Sequence, residues 1–132
     1  MRVTIPLVGL MVAVLAGCSS SADEAREQAR LACTYPAPEA PNYDPQRADL
    51  ALLQELAATA EARAELAASA ASLDERWAVL SEASNLLAAA ASRILEIRAD
   101  GGVVADEMTP EVWDQIKYAS DAFVVECRPV IG

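Results

Sequence analysis

No histidine occurs among the 132 residues. Without imidazole, Ser-His-Asp and Cys-His nucleophile systems are excluded, as are the usual zinc and non-haem iron sites. Glycine is scarce as well, with five residues, and neither G-x-x-x-x-G-K-[ST] nor G-x-G-x-x-G is present, so no phosphate cradle is visible. Basic residues are few: ten against twenty acids, for a formal net charge of −10. Nucleic acid needs clustered Lys and Arg, so none is expected as a partner. Nine of the ten bases are arginine and alanine abounds, usage typical of high-GC bacterial or phage genomes.

Charge is missing entirely from Ile5 to Gly17, a run preceded by Arg2. Thirteen residues fall short of the roughly 20 that a helix needs to cross a bilayer, but they suit a signal-peptide core. The run closes on Leu15-Ala16-Gly17-Cys18. This order resembles the lipobox of bacterial lipoproteins. The resemblance covers only the first twenty or so residues. It implies that the Cys18 sulfur carries a diacylglyceryl group, and that a peptidase cuts before Cys18. The new amine can then take a further acyl chain such as palmitate. An ordinary signal peptide with an unmodified Cys18 is the alternative.

On the lipoprotein reading, residues 1–17 are a signal peptide and residues 18–132 a single domain of 115 residues. That domain is expected on the extracytoplasmic face of the cell membrane, held through its lipid anchor. Because the acidic body is repelled by anionic lipid, the acyl chains must do the holding, at about 0.8 kcal/mol per buried methylene.

Three cysteines leave an odd count in an exported chain. Lipidation of Cys18 removes one and leaves Cys33 and Cys127, which outside the cytoplasm are expected to pair. The loop so closed spans most of the chain, for which chain entropy gives roughly 4.5 kcal/mol. Two free thiols buried as small hydrophobes are the alternative.

The helical signals define an all-α domain, a small bundle of about four helices with a central hairpin and one disulfide. Ser21 and Glu24 form a capping-box pattern, with Ala22, Ala25, Ala29 and Cys33 on one face. "TYPAPEAPNYDP", residues 34–45, carries four prolines and predicts an extended loop. Its Tyr35 and Tyr43 either pin the loop down or form a stacking surface. Asp44-Pro45 reads as cap and first helical residue.

No glycine or proline follows from Gln46 to Arg98. One helix of that length would reach about 80 Å, so a hairpin broken at "SAASLDE", residues 69–75, is expected. Ser72 and Glu75 would cap its second arm. The arms run about 45–70, with Leu53, Leu56, Ala60, Ala64, Ala67 and Ala71 in line, and about 73–98, with Leu73, Trp77, Leu80, Ser84, Leu87, Ala91 and Ile94. Gly101-Gly102 ends the second arm, and Thr109-Pro110-Glu111 opens the last helix. There Trp113, Ile116, Ser120, Phe123 and Cys127 share a stripe, and Pro129 is expected to stop the helix.

No site for a cofactor or metal and no catalytic residue is expected. Glu61 with Glu65, and Glu107 with Glu111, read as solvated acids rather than an acid–base pair. Asp100, Asp106, Glu107, Glu111 and Asp114 could gather round calcium, though not at EF-hand spacing. Trp77 and Trp113 read as core, and Ser84 and Ser120 could face each other.

The function expected is therefore non-enzymatic: an envelope protein that works by contact with another envelope protein. One version is a phage- or prophage-encoded lipoprotein that excludes superinfecting phage. The alternative is a binder of a small ligand or of calcium. A cavity of a few hundred Å³ between the helices would favour the binder; an exposed apolar patch would favour the protein partner.

Overall fold

A computed structural model describes residues 21–131. The lipobox and Cys18 lie outside them. Five α-helices are present among the described residues: α1 over residues 21–34, α2 Leu50–Leu73, α3 Ala78–Ala99, the single turn α4 Val104–Glu107, and α5 Pro110–Ile131. There is no strand among the described residues.

Three small residues, Ala25, Ala29 and Ala32, bury completely and let α1 lie close against the bundle. They share a core with Ala67 and Ala70 of α2, Trp77, Leu80 and Cys127. Ala22 is exposed, so the buried face of α1 turns through Ala32 instead. The helix ends where Pro36 forces its predecessor into extended geometry.

The proline-rich loop then runs to residue 49. Asn42 turns it with a φ of 59°, a conformation asparagine tolerates well. Asp44 caps a separate turn, its Oδ1 accepting from Gln46 N at 2.8 Å, and does not start α2. Two tertiary bonds explain the separation. Arg98 Nη1 donates to the Pro45 carbonyl at 2.7 Å, and Val104 N donates to Gln46 Oε1 at 2.8 Å. They hold this turn over the far end of α3, and α2 begins only at Leu50.

The expected hairpin forms, excluding one continuous helix. Its break, however, is capped by Asp74, whose side chain accepts from Arg76 N, and not by Ser72. Ser72 is still inside α2 and donates to the Ser69 carbonyl at 2.7 Å. A 3₁₀ turn, Glu75–Trp77, then leads into α3. Gly101, at φ 79°, ends α3 in a Schellman motif: Gly102 N donates to Ile97 O at 2.8 Å and Gly101 N to Arg98 O at 3.1 Å.

Helix α5 packs against α3, and Val112 N donates to Thr109 Oγ1 at its start. Pro129 does not stop it; the helix continues to Ile131. Val130 packs on the core, and Arg26 Nη2 donates to the Pro129 carbonyl at 2.8 Å, so this last turn is held from outside. Cys33 and Cys127 are disulfide-bonded, stapling α1 to α5. A second, smaller core of Leu53, Ile94, Ile97, Val104 and Met108 fills the opposite end of the bundle. None of the described helices is long and apolar enough to cross a membrane.

Candidate ligand cleft beneath the proline-rich loop

The two cores are separated because α1 is too short to run the length of the other three long helices. Helix α1 stops at residue 34. Beyond it the fourth position of the bundle is covered only by the loop, whose prolines and alanines offer little to pack. A cleft of about 400 Å³ remains between α2, α3 and α5, with the loop above it. Its walls are Leu56 and Ala60 of α2, Leu87, Ala90, Ala91 and Ile94 of α3, and Trp113 and Ile116 of α5. The loop contributes Ala37, Ala40 and Tyr43. Such a volume lies within the roughly 300–1,000 Å³ of small-molecule sites.

Trp113 is thus displaced from its expected role. It is 36 % exposed and lines the cleft, whereas Trp77, at 2 %, is core. Arg76 stacks over the Trp77 ring at 4.0 Å and pairs with Glu126 at 3.0 Å. Tyr43 also lines the cleft, and burial is the main cause that raises its hydroxyl pKa above the usual 10.0. Tyr35 pins the loop through its backbone instead of its ring, its carbonyl accepting from Arg63 Nη2 at 2.9 Å.

Polar residues in the lining are few: Thr59, Tyr43 and Arg63. Arg63 is half-buried, and burial lowers its pKa from the ordinary arginine value, although a guanidinium stays charged in proteins. Its guanidinium lies over Phe123 at 5.7 Å, and its Nε is buried without a hydrogen-bond partner. Sequence spacing gave no hint of this residue, since Arg63 stands beside the alanine stripe like any solvated arginine.

Other expected groupings come apart. Ser84 is buried, its Oγ without a partner, while Ser120 is exposed, so the two hydroxyls do not meet. Glu61 and Glu65 are exposed on α2. Glu107 pairs with Arg93 at 3.5 Å. Among the described residues no three acids or cysteines converge to hold a cation, so Asp100, Asp106, Glu107, Glu111 and Asp114 form no calcium site.

A second hollow of about 480 Å³ lies by Ala71, Ala78, Ser81, Glu82, Asn85 and Leu86. It has small walls, one acid and no cation. No family model, curated protein or solved structure matches this chain.

Proposed function

We propose that this chain is a lipid-anchored, extracytoplasmic protein that binds a small apolar ligand without transforming it. The observation that carries the reading is the cleft of about 400 Å³ between three helices and the loop. Its lining pairs no nucleophile with a base and no carboxylate with another, which supports binding over catalysis. The lipobox at Leu15-Ala16-Gly17-Cys18 supports the anchor.

Two measurements test it. Mass spectrometry of the membrane fraction should find acylated Cys18 at the N-terminus; an unmodified cysteine there rejects the anchor. Native mass spectrometry of the extracted protein should show a bound small molecule that an Ala60→Leu variant, its cleft filled, loses. A ligand retained equally by that variant rejects the cleft.

A second reading has its own support. Tyr118, Val124 and Val125 are all more than half exposed on α5, an apolar surface suited to an envelope protein partner. Crosslinking from residue 118 in intact cells tests it, and the absence of any adduct rejects it.

A further inference from the structure

Building on the reading of the cleft as a ligand site, we infer that its occupant is a single-chain fatty-acid carboxylate. The headgroup sits at Arg63 and the alkyl chain lies along the α2, α3 and α5 walls toward Trp113.

The charge pattern comes first. In a chain with twenty acids and ten bases, the cleft lining holds no acid, and Arg63 is its one charge. A lining drawn at random from this sequence would carry negative charge.

Arg30, Arg47, Arg76 and Arg93 each face a carboxylate. Arg63 faces none among the described residues. It makes one hydrogen bond to a neutral carbonyl and keeps a buried Nε without an acceptor. Among the described arginines, Arg26 and Arg98 also donate to a backbone carbonyl and face no carboxylate, but only Arg63 has a buried nitrogen without a hydrogen-bond partner. Burying a cation so poorly satisfied is unfavourable, and the Phe123 ring offsets only part of the cost. The Nη1 of Arg63 makes no hydrogen bond and is not buried, so a carboxylate could bond it and neutralise the cation in the planar geometry that guanidinium matches best.

Leu56, Leu87, Ile94, Ile116 and the Trp113 ring give the remaining walls a mainly hydrocarbon surface, with Thr59 and Tyr43 as the other polar groups. The volume lies near the small end of ligand sites, which suits one chain better than two.

The test uses the full chain in phosphatidylcholine nanodiscs, titrated with ω-brominated dodecanoate or ω-brominated dodecanol, whose bromine quenches nearby tryptophan. Variants in identical discs share any partitioning of the probe into lipid, so differences between them report the cleft. The carboxylate should quench saturably, and Trp113→Phe should remove that quenching while buried Trp77 stays bright. Arg63→Gln should weaken the carboxylate at least ten-fold, the loss of one charge-assisted hydrogen bond, and leave the alcohol unchanged. Arg63→Lys should recover part of the loss, and Ala60→Leu should abolish binding of both probes.

Should Arg63→Gln fail to fold by circular dichroism, preference of the wild type for carboxylate over alcohol decides the matter. Alcohol bound as tightly as carboxylate overturns the ligand class and leaves the cleft reading standing. Equal carboxylate affinity in folded Arg63→Gln overturns the headgroup assignment. An absence of saturable quenching by either probe overturns both.

Discussion

Cys33 and Cys127 stand 5.6 Å apart, Cα to Cα, joined across 94 residues of sequence. The bond ties α1, whose fully buried residues are three alanines, to the far end of α5. Replacing both cysteines by alanine, or reducing them, should lower the unfolding free energy by about 4 kcal/mol. Urea melts followed by circular dichroism measure this. A loss below about 1 kcal/mol would mean that α1 is held by packing alone.

The two tryptophans should separate sharply. Trp77→Ala removes a 2 %-exposed side chain from the larger core and should cost about 3–5 kcal/mol. Trp113→Ala, at a partly open wall, should cost less than about 1.5 kcal/mol. Similar losses in denaturant melts would contradict the division between core and cleft.

Ser84→Ala should stabilise the protein. The hydroxyl is buried in α3 without a partner, so removing it relieves a desolvation penalty of about 1 kcal/mol. Alanine is also the better helix former. A lower urea midpoint would show that Ser84 has a bonding role.

At alkaline pH the sign follows from Tyr43. Burial, the largest cause, raises its folded-state pKa above 10.0, so the folded state binds this proton more tightly than the unfolded chain does. The associated stability is complete below about 10 and is lost as pH rises through the folded value. The Tyr43 hydroxyl should ionise above the usual 10.0 in an absorbance titration, and Tyr43→Phe should remove that step. A titration unchanged by the variant would refute the assignment.

Glu27 works in the opposite direction at acid pH. The hydrogen bond from Arg30 lowers its pKa, so its contribution is present above the usual 4.5 and fades as pH falls through the folded value.

Periodicity made the helices legible, and parity with export made the disulfide legible. Helix boundaries were less so. Asp44-Pro45 has every local mark of a helix start, but Arg98 and Gln46 recruit that turn for tertiary bonds, and the ladder begins at Leu50. At the hairpin the cap moves by two residues. Local pattern selects Ser72, whereas the folded chain uses Asp74.

The cleft was the least legible part. Ala60, Ala90 and Ala91 recur at helical spacing whether they meet another helix or a void. The difference is set by the end of α1 at residue 34, and its effect falls on residues far along the chain. Trp113 shows the same limit: its place in the stripe is that of a core residue, but no helix arrives to cover it.

The loop above the cleft is fastened at both ends, by the Cys33 staple and Arg63 on one side and by Arg98 and Gln46 on the other. On the proposed reading of the cleft, a ligand would therefore enter from the side, where Trp113 is partly exposed, without lifting the loop. Swinging one partly exposed ring is a picosecond-to-nanosecond event, whereas lifting a strap takes microseconds or longer. On that reading, exchange should be quick and indifferent to backbone motion, and residence time should depend on how firmly the ligand is gripped inside.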